Sequence, residues 1–124
     1  MAILIVLMAY INPNMVMSEI ESLNIEHPKI VFMQFREESG NGTSYLAREC
    51  NNLFGMKMPS NRPTTAIGKT KSGFAIYESI RDCIIDYALW QQAYARGLSE
   101  DEYLRFLRTT YINDEKYLFN YLFY

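Results

Sequence analysis

The chain has little with which to hold a metal or build a disulfide framework. Of its 124 residues, two are cysteine, Cys50 and Cys83, and one is histidine, His27. Neither a thiolate zinc site nor a bridged mini-protein follows from so few ligands, and buried free thiols are the simpler reading of the pair, with a disulfide left open if the fold brings them together. Excess charge is also lacking. Twelve Lys and Arg against 14 Asp and Glu leave a net charge of -2, too little and of the wrong sign to draw in a nucleic acid. Four prolines, six glycines and no low-complexity tract or internal repeat speak against a disordered or fibrous chain. The apolar run over residues 1–11 falls short of the roughly 20 residues that cross a bilayer and meets Asn12-Pro13 at once. It reads as a first buried helix or extension over 1–13, with a non-cleaved export or membrane signal, or a strand, as the other readings.

What is present is an apolar content of 49% with 15% aromatics, enough for one domain over 1–124 and not for two. Met17, Ile20 and Leu23 recur at helical spacing in 14–24. Pro28 suits the first turn of a second helix, where its missing N–H costs little, and the apolar residues that follow fall on nearly all sides, as in a central helix. Ser39-Gly40-Asn41-Gly42 interrupts it, and Thr43 or Ser44 can start a third helix running to about Cys50. Residues 62–67 and 73–77 read as two strands of a small hairpin. Ser79 with Asp82, and Ser99 with Glu102, have the spacing of capping boxes, the first opening a long helix to Ala95 that Gly97 ends. Asn113 or Asp114 can cap a last, aromatic helix. The expected class is mainly α with a small β-hairpin lobe.

Chemistry has few carriers. Gly68-Lys69-Thr70 lacks the upstream glycines of a phosphate loop and sits in a hairpin. His27 reads as an interhelical hydrogen-bonding residue rather than a base. The acidic residues at Ser99-Glu100-Asp101-Glu102 and Asp114-Glu115 read as solvated helix starts. Glu37-Glu38 is different: these carboxylates end an otherwise apolar helix beside a glycine-rich bend, the end at which the helix dipole disfavours an anion. A partly buried carboxyl there can hold a proton and deliver it to a glycosidic oxygen. The other reading for either of the two is an ordinary surface charge.

Two strings in order sharpen this. Glu38-Ser39-Gly40-Asn41-Gly42-Thr43-Ser44 is followed by Asn51-Asn52-Leu53-Phe54-Gly55-Met56-Lys57, then Tyr77, Ser79, Asp86-Tyr87, Tyr111-Ile112-Asn113-Asp114 and Tyr117. From about residue 15 onward the chain resembles the bacterial and phage glucosaminidases of glycoside hydrolase family 73, which cleave peptidoglycan. The resemblance implies a lysozyme-like helical domain with a small β lobe and hydrolysis of the β-1,4 bond after N-acetylglucosamine. It makes Glu38 the general acid and assigns Tyr111 to the catalytic site. It places Asn41, Asn52, Phe54, Lys57 and Tyr77 at the substrate, with Phe54 equally readable as a core aromatic.

A peptidoglycan strand is then the expected partner, with no nucleic acid, metal or organic cofactor, and a monomer the expected state. Action in the periplasm or cell wall, or with a phage, is implied; holin-type release, unusual export and trimming from a longer chain are the open routes. The pattern departs at three places. Residues 62–77 hold no Asp or Glu where many members carry a second carboxylate, so that Glu78 is the next acid; Asn41 replaces a bulkier residue, and Thr110 a glycine. The empty hairpin leaves a second reading: a glycan-binding or virion structural protein that keeps the fold without catalysis.

Overall fold

A computed structural model describes residues 11–111 and Leu118. The expected helix over 1–11 lies outside these except for Ile11, and the last aromatic helix lies outside except for Leu118. The first described helix, α1 (Pro13–Ser22), begins where the Asn12 side chain accepts the Asn14 N–H and Pro13 takes the first turn. It buries Val16 and Ile20, one turn apart.

Helix α2 (Pro28–Ser39) follows His27, whose backbone is left-handed at φ 56°. Gly40 ends α2 in the same conformation, at φ 57°, and its N–H returns to the Arg36 carbonyl. A short α3 (Tyr45–Cys50) is capped by Ser44 accepting from the Ala47 N–H. The hairpin comes next, β1 (Gly68–Lys69) against β2 (Ala75–Ile76), antiparallel with Gly68 opposite Ile76 and Lys69 opposite Ala75. On the other edge of β2, Lys57 bridges Phe74, with hydrogen bonds from Ala75 N to Met56 O and from Met58 N to Gly73 O. The loop after α3 is thereby laced to the hairpin as a third strand-like segment.

Helix α4 (Ile80–Tyr94) starts at Ser79, and α5 (Glu100–Phe106) at Ser99. The second start is a full capping box: Ser99 Oγ accepts the Glu102 N–H and Glu102 Oε1 accepts the Ser99 N–H. At the first, Ser79 accepts from Asp82, and the shorter Asp82 side chain makes no return bond there, so the expected box is half made. A π-helical turn, Leu107–Tyr111, closes the described helical part.

The core draws on all the helices, on the loop after α3 and on Ala75 of β2. Ile20, Ile30, Phe35, Leu53, Phe54, Ile84, Tyr87, Tyr103 and Leu107 are all fully buried, each large side chain contributing about 1.5–3 kcal/mol by leaving water. Helix α1 packs on α2 and on α4. Polar side chains inside this core are used as ties. Gln91 accepts the Glu26 N–H at 2.8 Å and donates to the Glu26 carbonyl and the Tyr103 hydroxyl, while Tyr103 meets the Tyr87 hydroxyl and Tyr87 donates to Gln34. His27 stacks on Tyr103, ring centroids 4.8 Å apart, and its Nε2 lies 2.8 Å from the Leu98 carbonyl. That is the interhelical role its sequence position suggests. Cys50 and Cys83 are buried free thiols; burial pushes the Cys83 thiol up to about 12, partly offset by the Leu53 N–H that it accepts.

One expected strand is corrected. Residues 62–67 do not form a ladder: Thr64 Oγ1 donates to Asp86, Thr65 Oγ1 to the Asp82 carbonyl, and pairing with β2 begins only at the Ile67 N–H. The β-branched threonines that suggest a strand serve instead to bind an extended segment to α4.

Candidate active site

A groove of about 440 Å³ runs between the β lobe and the helices. One wall is the loop from Gly55 to Arg62; the other is Trp90 and Tyr94 of α4 with Thr110 and Tyr111 of the π-helical turn. The loop wall is set by backbone ties. Asn52 Nδ2 donates to the Met56 and Ala75 carbonyls at 2.9 Å each, and Asn52 Oδ1 accepts the Met56 N–H. Gly55 turns the chain at φ +65°, a conformation costly to other residues.

Glu38 meets the groove at Gly55. A Cβ added at position 55 would stand 3.1 Å from Glu38 Oε2, so the carboxylate lies beside Gly55, a residue of the groove wall. The bend after α2 holds it there. Ser39 is buried, donates from Oγ to the Phe35 carbonyl at 2.5 Å and accepts the Gly42 N–H at 2.8 Å, which locks the turn that follows Glu38. Glu38 itself is half-buried, whereas Glu37 faces solvent.

Tyr111 reaches the same place from the other wall. Its hydroxyl donates to the Phe54 carbonyl, one residue before Gly55, and its ring stands edge-on to Trp90 with centroids 5.5 Å apart. Glu38, Gly55 and Tyr111 are therefore assembled from three separate stretches of sequence. Lys57 lines the groove as well, its Nζ 3.0 Å from the Ser72 carbonyl and 3.9 Å from the centre of the Phe74 ring.

Four expected substrate contacts are placed elsewhere. Phe54 has no exposed surface and packs on Tyr87 at 4.6 Å, so it has no face to offer a sugar. Asn52 is buried with its amide engaged by the loop just described, leaving it a strut rather than an acetamido ligand. Tyr77 is buried and donates to Asp86 Oδ2 at 2.5 Å; burial first, with Cys83 and Asp86 nearby, drives its pKa far above the phenol range, so it remains a neutral donor. Asn41 is exposed on the bend at φ 58° and is not among the groove-lining residues. These residues shape the site from behind.

The second carboxylate of the region, Asp86, is also spoken for. It is fully buried, and Arg62 Nη1 and Thr64 Oγ1 donate to one oxygen at 2.6 and 2.7 Å while Arg62 Nη2 and Tyr77 donate to the other. Among the described residues that line the groove there is no Asp or Glu. Nor do three His, Cys, Asp or Glu side chains gather into a metal site among the described residues. The aromatic wall was not legible in the sequence: Trp90 and Tyr94, four apart on α4, look like a core stripe until the groove exposes half of Tyr94.

With this geometry in hand, comparison with known proteins is informative. Residues 14–120 match the family model "Glucosaminidase", described as mannosyl-glycoprotein endo-beta-N-acetylglucosaminidase. The chain belongs to this glucosaminidase family. The helical domain with its small hairpin is the lysozyme-like architecture expected. The chain is 41% identical to Protein bax of Escherichia coli (strain K12) over 68 residues, which are 55% of this chain and 24% of that protein. The matched stretch thus spans about a quarter of that relative's length. A chain in the structure of a type VI secretion system effector–immunity complex from Pseudomonas protegens superposes with a TM-score of 0.60, covering 79% of this chain and 70% of that one at 24% identity, a likeness of fold. It corrects the expectation of a monomer, because the same fold is found there in a complex with a protein partner. Composition and net charge are silent on such partners, since they carry no information about which surface a second chain can cover.

Proposed function

We propose that this glucosaminidase-family domain hydrolyses the β-1,4 bond after N-acetylglucosamine in peptidoglycan, with Glu38 as the general acid. The observation that carries this reading is the carboxylate of Glu38 lying beside Gly55 of the groove wall. As the bond between the anomeric carbon and the leaving oxygen breaks, Glu38 gives its proton to that oxygen, and positive charge grows on the sugar. Tyr111, anchored to the Phe54 carbonyl, borders the reacting sugar. Trp90 and Tyr94 offer apolar ring surface to pyranose faces.

The acid that many relatives supply from the hairpin is missing here, and Asp86 has its oxygens occupied. Charge on the sugar is then met by the 2-acetamido oxygen of the substrate itself, and water completes hydrolysis. The likeness to a chain of an effector–immunity complex supports action outside the cytoplasm alongside a dedicated protein partner.

Digestion of purified peptidoglycan by the intact protein and by Glu38→Gln, with mass spectrometry of the released reducing ends across pH, tests the proposal. N-acetylglucosamine reducing ends that vanish in the folded variant uphold it. Absence of cleavage by folded protein on several wall types favours a second reading, a glycan-binding or virion structural protein, for which the acid-free hairpin is the specific support.

A further inference from the structure

A chain of buried amides and hydroxyls runs from Glu26, just ahead of α2, to Gln34 inside it, and every donor in it points the same way. Gln91 accepts the Glu26 N–H at 2.8 Å and donates to the Glu26 carbonyl at 2.9 Å, so the backbone fixes which end of its amide is nitrogen. The other proton of that nitrogen goes to the Tyr103 hydroxyl at 3.0 Å. Burial pushes the Tyr103 hydroxyl up to about 12, so it keeps its own proton. With its oxygen already accepting, Tyr103 turns that proton to the Tyr87 hydroxyl at 2.5 Å, and Tyr87 in turn donates to Gln34 Oε1.

The last amide is thereby oriented as well, with its oxygen held by Tyr87 and its nitrogen as the open end. Gln34 is fully buried, and among the described residues nothing accepts from its Nε2. A buried donor left unmet is costly, and native folds rarely keep one without a use. Gln34 lies one turn before Glu38 on α2, the spacing at which side chains on a helix are neighbours. The loop wall of the groove leads to the same place. Tyr87 packs on Phe54 with ring centroids 4.6 Å apart, and the next residue, Gly55, lies beside Glu38 Oε2.

We propose that Gln34 is the positioning residue of the acid, its Nε2 donating to one oxygen of Glu38 as that carboxyl gives up its proton and leaving the other oxygen to the substrate. The proposal rests on the glucosaminidase reading above and adds to it the group that steadies the acid. The glycosidic oxygen takes the proton, Glu38 is left as an anion, and the amide N–H meets the charge. Catalytic hydrogen bonds are commonly long in a free enzyme and tighten as charge develops. A hydrogen bond to an ionised acceptor is roughly twice as strong as one to a neutral group, so this donor favours the transition state over bound substrate. Its signature is a change in kcat rather than in KM.

Two variants test it. Gln34→Met keeps the volume and removes the amide, while Gln34→Glu keeps an acceptor for Tyr87 and removes the N–H donor, and carries the test if the methionine variant does not fold. Each is read by steady-state kinetics on purified peptidoglycan and by NMR titration of carboxyl-labelled glutamates, the Glu38 resonance being assigned by its loss in Glu38→Gln. In Gln34→Met, kcat is expected to fall about 10- to 100-fold with KM within about twofold. Glu38 is expected to titrate about one pH unit higher there, because its anion has lost a donor. In Gln34→Glu the two carboxyls titrate in two steps, the upper about two units above the wild-type Glu38 value. A residue that only ties Tyr87 into the core changes the melting temperature and leaves the Glu38 titration where it was. An unchanged titration in a folded variant, or a shifted one with kcat intact, overturns the proposal and leaves the glucosaminidase reading standing. Shifted titrations beside a wild type that cleaves no wall uphold the bond from Gln34 to Glu38 and overturn that reading.

Discussion

The groove end around Glu38 and the junction around Asp86 each set a carboxylate against the β lobe, and they do so in opposite ways. Asp86 is fully buried and surrounded by donors: a guanidinium, a threonine hydroxyl and a tyrosine hydroxyl converge on its two oxygens from the hairpin segment. Glu38 is half-buried at a helix end, with Gly55, a residue of the groove wall, among its neighbours. A carboxylate buried among rigid donors holds structure together; one that is partly exposed beside a glycine of the groove wall can be reached by a substrate oxygen. The same residue chemistry is divided between architecture and reaction by what surrounds it.

The sharpest way to break this comparison is to neutralise each carboxylate in turn. Glu38→Gln is expected to lower the rate of wall hydrolysis by about 10²- to 10⁴-fold, the range of general acid catalysis, with an unchanged melting temperature. Asp86→Ala leaves Arg62 buried without its partner and is expected to cost about 3–5 kcal/mol in denaturant unfolding. If Asp86→Ala unfolds like wild type, or if Glu38→Gln melts much earlier, the division between the two sites is wrong.

Gly55→Ala probes the contact between carboxylate and glycine itself. The new methyl would stand 3.1 Å from Glu38 Oε2, at a backbone φ of +65°. Left-handed backbone costs a residue with a Cβ about 1–2 kcal/mol, so a modest loss of stability is expected together with a fall of about tenfold in kcat as Glu38 is pushed aside. A stable variant with full activity would show that Glu38 does not work from the position over Gly55.

Much of this frame could be read from the sequence, because the signals were local. Pro28 and Gly40 bracket α2, Ser44 caps α3, and Ser99 with Glu102 closes a box, each decided by residues within a turn of one another. Glu38 was legible for the same reason, as a carboxylate between an apolar helix and a glycine bend. The misreadings share a different cause. Thr64 and Thr65 suit a strand, yet their hydroxyls bind α4 some 20 residues away in sequence. Asn52, Phe54 and Tyr77 belong to a motif that surrounds the groove, and only tertiary packing reveals that they brace it from within. Trp90 and Tyr94 became groove residues because the π-helical turn and the loop after α3 leave one strip of α4 uncovered.

A third carboxylate supplies the smallest and most local test. Glu102 is fully exposed, so neither burial nor a groove explains its behaviour; the Ser99 backbone N–H, and next the Ser99 hydroxyl, hold its carboxyl below the usual glutamate range. Because the folded value is the lower one, the unfolded chain binds more protons through the window between the two. The stabilisation is complete above the ordinary glutamate pKa and fades as pH falls through the folded value. Urea unfolding of wild type and Glu102→Gln should therefore show a gap in stability at neutral pH that closes in acid. Such a gap would come chiefly from the hydrogen bonds with Ser99, with a smaller part from the charge of Arg105, and with no cavity and no buried ion pair. A gap that persists unchanged in acid would mean that the carboxylate's charge contributes nothing to the cap, and that the Ser99–Glu102 box holds the start of α5 by its geometry and not by the anion.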